Sequence, residues 1–213
     1  SPLNRGTAWA YDQGIIHSDG NMLLFLHNDV VLTKDAIEDM EQALSSNDRL
    51  GAVAPLSNRT YYGKQFIRAM DYCDFQGMQL FTDQVAATDR QNHQAMLLEN
   101  FCLMVKREAV EGVNGFSEVY DYHYYEDLDF SLRLIQAGYR LQMMENLYVH
   151  HENGVSREAF FDIAALKNRN RQLFFKEWGF YPEYSGNTQE KFLELMDLQS
   201  KDITVLEVGC ACG

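Results

Sequence analysis

Uninterrupted apolar runs recur along the chain at the length of a β-strand. The run Met22–Leu26 is bounded by turn residues, a pattern typical of a central, largely parallel strand covered on both faces. Apolar and polar residues alternate over Tyr139–Met143, which predicts a strand of a different pattern. Three further short apolar stretches are also predicted strands: Gly51–Pro55, Phe101–Val105 and Leu147–Val149.

Helical spacing of apolar residues predicts helices between these strands. Thr33 is the predicted N-cap of one helix, and Ala137-Gly138 is the predicted end of another. The predicted helices are Thr7–Ile16, Lys34–Ser45, the residues from Asp127 to Ala137, Phe160–Trp178 and Thr188–Leu198. Between Tyr61 and Leu98 no clean period is present, which indicates a variable loop-and-helix insertion that lines a substrate cleft. Strands that alternate with helices indicate an α/β fold.

Composition narrows the class of protein. A chain of 213 residues with 46% hydrophobic content can bury one sizeable core, so we expect one main domain with a small appended piece. The formal net charge of -13 argues against a nucleic-acid or anionic-membrane surface, and a phosphate-bearing ligand would need a metal ion beside it. The cysteines lack zinc-site spacing, which predicts free thiols in a reducing, cytoplasmic setting. No apolar run approaches the length of a membrane span, although peripheral contact at the inner face of a membrane stays open.

Polar residues stand at the ends of two predicted strands. Asp29 follows the apolar run at Met22–Leu26, at the position where open α/β sheets bind their ligands. It is either a metal or substrate ligand or an ordinary turn residue. His150 and His151 end the last strand, and each is either a metal ligand or a structural histidine.

A cluster of carboxylates lies where a turn enters a helix, in the stretch Tyr124–Phe130. Asp127 stands between Glu126 and Asp129 at or just before the helix start. As an N-cap it would only satisfy backbone N–H groups. As a general base it would gain from the like charges of Glu126 and Asp129, which raise the pKa of a neighbouring carboxyl. The residues alone leave both interpretations open.

These pieces, in this order, resemble the inverting family 2 glycosyltransferases of the nucleotide-sugar-binding GT-A fold. The resemblance covers most of residues 4–156. Its matching segments are Asn4–Gly6, Asp12–Ile15, Leu24–Asp29, Gly51–Pro55, Val113–Phe116, Tyr125–Arg140 and His150–Ser156. It implies a mixed, mostly parallel sheet flanked by helices, with the family's first strands upstream of Asn4 and missing here.

The resemblance implies a role for each candidate residue. Asp127 matches the catalytic base and Glu126 its neighbour on the acceptor side. Asp29 matches the last acid of the Asp-x-Asp metal motif, whose first acid is replaced by His27. His151 matches the downstream metal ligand, with His150 as the alternative. The implied donor contacts are Asn4, Gly6, Asn28 and Asp29.

The implied activity is transfer of a sugar from a nucleotide-sugar donor to a hydroxyl of a glycan or lipid-linked glycan, with inversion. Mn²⁺ or Mg²⁺ would neutralise the departing diphosphate, and the setting would be synthesis of a surface polysaccharide or glycan. A non-catalytic glycan- or nucleotide-binding module is the alternative, because His27 replaces an acid. A glycoside hydrolase is disfavoured, since its paired carboxylates require neither a histidine nor a metal.

The C-terminal segment carries a second, shorter resemblance. Val205–Gly213, a strand followed by a Gly-rich loop, is similar to the first motif of S-adenosylmethionine-dependent methyltransferases. We therefore expect residues 1–182 to form the glycosyltransferase domain. Residues 183–213 would be a linker helix and the first strand and loop of a methyltransferase domain, and S-adenosylmethionine would serve only the missing part of that domain.

Overall fold

A computed structural model of the protein describes residues 5–69, 71–152 and 162–182. Asn4, the predicted helix Thr188–Leu198 and the Gly-rich segment Val205–Gly213 lie outside the described residues. The division predicted at residue 182 therefore stays a prediction.

Strands and helices alternate along the described residues, as the apolar pattern predicts. The strands are β1 (Met22–Leu26), β2 (Val30–Val31), β3 (Leu50–Ser57), β4 (His93–Ala95), β5 (Cys102–Lys106) and β6 (Arg140–His151). The helices are α1 (Thr7–Ile16), α2 (Ala36–Ser45), α3 (Phe75–Ala86), α4 (Arg107–Gly112), α5 (Glu126–Gln136) and α6 (Ile163–Trp178). The unpatterned region between Tyr61 and Leu98 contains α3 and β4, so it is a loop-and-helix insertion as expected.

The strands form one sheet in the order β1-β5-β3-β6-β2, with β4 also pairing with β6. The α/β class and the mixed sheet are confirmed. The expectation of a mostly parallel sheet is wrong for the described strands, because only β3 and β6 run parallel and the other pairs are antiparallel. The expected central position of β1 is wrong as well, since β1 lies at one end of this order. An apolar run reports that a strand is covered, and it carries no information on the direction of its neighbours.

Two apolar layers cover the two faces of the sheet. One layer packs α1, α4 and α5 against the sheet, with Phe25, Phe116 and Phe130 among its buried rings. The other packs α2 against the sheet through Met40 and Leu44. All residues of β3 are buried, so this strand is the centre of the core. The carboxyl ends of β1 and β6 and the start of α5 are thereby held at one edge of a rigid frame.

Helix boundaries follow local capping chemistry. α2 begins at Ala36, two residues after the predicted start. Thr33 does not cap it, because its Oγ1 donates a hydrogen bond to the carbonyl of Tyr148 at 2.8 Å. α5 ends where predicted, before Gly138 at φ 92°, a left-handed conformation that glycine adopts without strain.

The described residues include two of the four cysteines. Cys73 is exposed and Cys102 is buried, both as free thiols. None of the described helices is both long enough and apolar enough to cross a bilayer.

Candidate functional site

Strand ends bring His27, Asp29 and His151 together. One ligand atom from each residue lies within 4.8 Å of the others. β2 begins directly after Asp29, and its first residue, Val30, pairs with His151 on β6. The register of this pairing fixes the distance between the two chain segments, so the cluster is built by the backbone before any ligand binds.

The His151 ring is oriented by a backbone carbonyl. Its Nδ1 lies 3.1 Å from the carbonyl oxygen of Arg59, which can only accept, so Nδ1 carries the hydrogen. Its Nε2 faces the Oδ1 of Asp29 at 3.3 Å and makes no hydrogen bond with the described residues. The ring is buried and stacks on Phe101 at a centroid distance of 5.4 Å. A neutral imidazole lone pair that faces a carboxylate oxygen is repelled by it, and a cation between them removes the repulsion.

The His27 ring is oriented in the same way by an amide side chain. The Nδ2 of Asn100 donates to the Oε1 of Glu126 at 3.1 Å, which leaves the Oδ1 of Asn100 as an acceptor for the His27 Nε2 at 3.0 Å. His27 Nε2 therefore carries the hydrogen, and Nδ1 carries the lone pair. Metal-ligating histidines characteristically donate their second ring N–H to a fixed acceptor, and both histidines do so here. The donor set of two imidazoles and one carboxylate fits a divalent metal ion.

The structure separates the two candidate histidines at the end of β6. Consecutive side chains of a strand point to opposite faces, so His150 lies away from the cluster. Its Nδ1 contacts the hydroxyl of Tyr72, and its Nε2 lies 3.0 Å from the Oε1 of Glu152. His151 is thus the histidine that the fold places beside Asp29.

The predicted donor contacts are placed unequally. Gly6 lies at φ 91° at the start of α1, where an added Cβ would come within 2.8 Å of the Tyr122 backbone. The next residue, Thr7, contacts His123 Nδ1 through its Oγ1 at 3.0 Å, so this end of α1 borders the site. Asn28 is exposed beside the cluster and is not one of its grouped ligands.

Glu126 is the first residue of α5 and is buried beside Asn100, the side chain that also contacts His27. Its Oε1 accepts from Asn100 and lies 3.3 Å from the Nδ1 of His123, while its Oε2 is buried without a hydrogen bond among the described residues. Burial raises the pKa of the Glu126 carboxyl. The charge and hydrogen bond of His123, together with hydrogen bonds from the backbone and Asn100, lower this pKa by more than burial raises it. The net pKa is below the ordinary value, so Glu126 stays ionised.

Asp127 lies next to Glu126 but has the opposite electrostatics. Burial raises the pKa of its carboxyl well above the ordinary value, and the charges of Glu126 and Glu99 raise it further. The predicted contribution of Asp129 is wrong, because Asp129 pairs with Arg133 at 2.7 Å instead. Asp127 does not occupy the N-cap position, which Tyr125 holds, although its Oδ1 accepts from the Leu128 N–H at 2.9 Å. Divergent pKa values in neighbouring carboxyls are typical of acid–base pairs.

The sequence analysis missed Glu99. This side chain is 2% exposed, and its oxygens accept from the N–H groups of Tyr61 at 2.6 Å and Tyr62 at 3.0 Å. Burial raises the pKa of Glu99 to about 7, although hydrogen bonds from Tyr62, Thr60 and Gly63 oppose the rise. Glu99 directly follows the unpatterned region between Tyr61 and Leu98, so only its position two residues before the apolar run at Phe101–Val105 could have drawn attention to it.

The loop before α5 is strained and is held from α6. Tyr122, Tyr124 and Tyr125 have φ values of 51°, 77° and 74°, the left-handed region that non-glycine residues rarely adopt. The buried Asn170 on α6 donates through Nδ2 to the carbonyls of Asp121 at 2.9 Å and His123 at 2.8 Å, and accepts from the Asp121 N–H at 3.2 Å. Asn170 was not among the predicted site residues, because its partners Asp121 and His123 lie 49 and 47 residues earlier along the chain.

The fold has known relatives among solved structures. The chain is similar to the crystal structure of GalNAc-T7 with UDP, GalNAc and Mn²⁺, with 14% identity and a TM-score of 0.53 over 71% of this chain and 31% of that chain. It is also similar to the mannosyltransferase PcManGT from Pyrobaculum calidifontis in complex with GDP-Man and Mn²⁺, with 16% identity and a TM-score of 0.49 over 72% of this chain and 38% of that chain. The chain thus spans about a third of the length of these structures. The first likeness confirms the expected GT-A fold.

Sequence comparison identifies the family. No curated protein matches the chain. The family model described as glycosyltransferase like family 2 matches residues 4–199, which is nearly the whole chain. The chain therefore belongs to the glycosyltransferase-like family 2.

Proposed function

We propose that the protein transfers a sugar, with inversion, from a nucleotide-sugar donor to a hydroxyl acceptor and that it uses a divalent metal ion. The observation that carries this proposal is the convergence of His151 Nε2 and Asp29 Oδ1, 3.3 Å apart, beside His27. Such an arrangement suits a bound cation. The solved structure of GalNAc-T7 contains UDP and Mn²⁺, which supports the same ligand classes here.

His27, Asp29 and His151 would hold the metal, and Mn²⁺ or Mg²⁺ is the proposed ion. When bound, the ion supplies positive charge to the diphosphate leaving group. Asn100 and the carbonyl of Arg59 keep both imidazoles in the tautomer that leaves a lone pair for the metal. This arrangement supports a metal-binding role for His27, whose presence in place of an acid was the reason to consider a non-catalytic module.

Asp127 is the proposed base. Its carboxylate takes the proton of the acceptor hydroxyl as that oxygen forms a bond to the anomeric carbon, and the bond from that carbon to the diphosphate breaks. Glu126 stays ionised through its contacts with His123 and Asn100, and its charge raises the proton affinity of Asp127. The two adjacent carboxyls thereby have separate roles, the second as proton acceptor and the first as the charge that tunes it.

The wider setting is proposed on the resemblance alone. The acceptor would be a glycan or a lipid-linked glycan in surface polysaccharide synthesis, on the cytoplasmic side of a membrane. Residues 1–182 would form the transferase, and residues 183–213 would lead into a methyltransferase that uses S-adenosylmethionine.

The test is turnover of a panel of nucleotide sugars with Mn²⁺ or Mg²⁺, in the unmodified protein and in Asp127→Asn. We expect metal-dependent turnover that falls by about 100- to 10,000-fold in Asp127→Asn, the usual contribution of a general base. Donor affinity, measured by calorimetry, should stay within about twofold, because Asp127 contacts the acceptor in this scheme. Glu126→Gln is the matched control, since it should lower the Asp127 pKa and shift the pH–rate profile to lower pH. Equal turnover in Asp127→Asn would remove this residue from the mechanism, and donor binding without turnover would favour the binding module.

A further inference from the structure

A cavity of about 330 Å³ opens beside the buried carboxylates. Aromatic residues form part of its lining, and Glu99 is another of the lining residues. The tyrosines that line it are Tyr61, Tyr62, Tyr124 and Tyr125, and two lysines, Lys64 and Lys167, also line it. A concave site with aromatic walls and a few polar groups is the usual form of a small-ligand site.

The cavity adjoins both parts of the candidate site. The Tyr61 ring lies 5.7 Å from the His123 ring, which lies 5.9 Å from the His27 ring of the metal cluster. On the other side, the hydroxyl of Tyr62 accepts from the Tyr125 N–H at 3.2 Å, directly before Glu126. Burial and then the charge of Asp127 raise the pKa of Tyr62 well above its ordinary value. The cavity thus borders the loop around His123 on one side and the start of α5 on the other.

Lys167 lies against aromatic rings that line the cavity. Its ammonium lies over the Tyr124 ring at 4.6 Å and near the Tyr61 ring at 5.7 Å. Within the described parts of the chain it forms no ion pair, whereas Arg169 pairs with Asp121 at 2.9 Å. An ammonium held on ring faces keeps its N–H donors for another acceptor.

We propose that this cavity is the acceptor subsite and that it takes a saccharide with an anionic group, a carboxylate or a phosphate. The sugar ring lies against the tyrosine walls, and the anionic group lies beside the ammonium of Lys167. Near Glu99, Glu126 and Asp127 an anion is repelled unless a cation faces it, and Lys167 supplies that cation. This inference rests on the proposed function for the word acceptor, and it adds the chemical class of that acceptor.

The test compares two ligands that differ only in charge, methyl β-glucuronide and methyl β-glucoside, with the corresponding glucoside 6-phosphate as a second anion. Binding to the donor-free protein is followed by NMR titration in the unmodified protein, Lys167→Gln and Lys167→Arg. Lys176→Gln is the matched control, because residue 176 lies nine positions further along α6 and therefore on its opposite face. We expect the anionic sugars to bind about tenfold more tightly than the glucoside, as for one charge-assisted hydrogen bond. Lys167→Gln should remove this preference, Lys167→Arg should restore it, and Lys176→Gln should not change it.

Two results would overturn the inference: equal affinity for the charged and uncharged sugars, or an anion preference that survives in Lys167→Gln. Inorganic phosphate and UDP are titrated in parallel. If either displaces the glucuronide from the tyrosine signals with equal affinity for the cavity, the cavity recognises the donor's phosphates and the acceptor assignment is wrong. Metal-dependent donor hydrolysis is measured in the unmodified protein without any acceptor. Absence of that hydrolysis would count against the proposed function, while the charge preference of the cavity would stand.

Discussion

The two parts of the candidate site differ in the balance of their charges. At the strand ends, two imidazoles surround one carboxylate in the cluster of His27, Asp29 and His151. At the start of α5, Glu126 and Asp127 lie near Glu99, so carboxyls outnumber cations. Asn100 joins the two parts, because one amide contacts His27 and Glu126 at once.

In the proposed mechanism, this difference lets one acidic chain serve two chemical tasks. The cluster presents nitrogen and oxygen lone pairs with only one formal charge, which suits a metal ion that must also be shared with a ligand. The three carboxyls near the start of α5 bring together more negative charge than their surroundings can stabilise, so one of them keeps a raised proton affinity. Substitutions that change this balance in one part at a time test the difference.

Removing an imidazole from the cluster should have the largest effect. In His151→Gln we expect the affinity for Mn²⁺ to fall by more than about 100-fold, because losing a ligand costs more than losing one of its supporting contacts. Calorimetric titration with Mn²⁺ measures it. His150→Gln is the control, since His150 faces Tyr72 and Glu152, and its Mn²⁺ affinity should stay within about threefold. Similar losses in both variants would mean that the cluster does not select between the two faces of β6.

Removing a carboxyl from the other part should change the dependence of stability on pH. The raised pKa of Glu99, about 7, means that the folded protein holds a proton that the unfolded chain releases near pH 4.5. Stability is therefore fully present below pH 4.5 and is lost as pH rises to about 7, by up to about 3 kcal/mol in free energy of unfolding. Glu99→Gln mimics the protonated form and should flatten this loss. Urea unfolding between pH 4.5 and pH 8 measures it, and an unchanged slope in Glu99→Gln would contradict the assignment.

Replacing an imidazole of the cluster with a carboxylate should change which metal ion the cluster prefers. We expect His27→Asp to raise the affinity for Mg²⁺ by about tenfold, because Mg²⁺ prefers oxygen ligands and imidazole suits softer ions. His27→Gln should weaken binding of both Mg²⁺ and Mn²⁺. Competition between the two ions, followed by the Mn²⁺ paramagnetic resonance signal, measures the preference. An unchanged Mg²⁺ to Mn²⁺ ratio in His27→Asp would show that His27 does not contact the metal.

Cutting the connection between the two parts should have the smallest effect. Asn100→Ala removes the acceptor of the His27 N–H and one donor to Glu126, so we expect a loss of about tenfold in Mn²⁺ affinity. The same calorimetric titration measures it. Asn114→Ala, at a turn before α5, is a control that leaves the cluster untouched. No loss in Asn100→Ala would mean that His27 keeps its tautomer without the amide.

Local patterns predicted the elements well and their assembly less well. The apolar run of β1 and the helix that ends at Gly138 are both encoded by neighbours in sequence. The direction of the strand next to β1 depends on partners far along the chain. The apolar run of β1 therefore could not show whether the sheet is mostly parallel. Asp29 and His151 could be selected as candidate ligands, because the end of a strand is marked by neighbouring residues in the sequence.

The missed residues act through distant partners. Glu99 stands out only because the N–H groups of Tyr61 and Tyr62 donate to its carboxylate. No periodicity marks buried positions in that part of the sequence. His27 was interpreted as the loss of an acid, because only the amide of Asn100 gives its ring an orientation. Side-chain hydrogen bonds that join segments many residues apart leave no trace in local spacing.

The contacts of α6 separate the boundary of the fold from the boundary of the site. Every described strand is complete by His151, so a shortened chain that stopped there would retain the sheet. It would lose Asn170, which holds the left-handed loop in front of Glu126, and Trp178, whose Nε1 donates to Asp129 at 3.0 Å. Shortened versions of such chains should therefore keep the residues that hold this loop. The last strand ends before those residues, so it is the wrong place to stop.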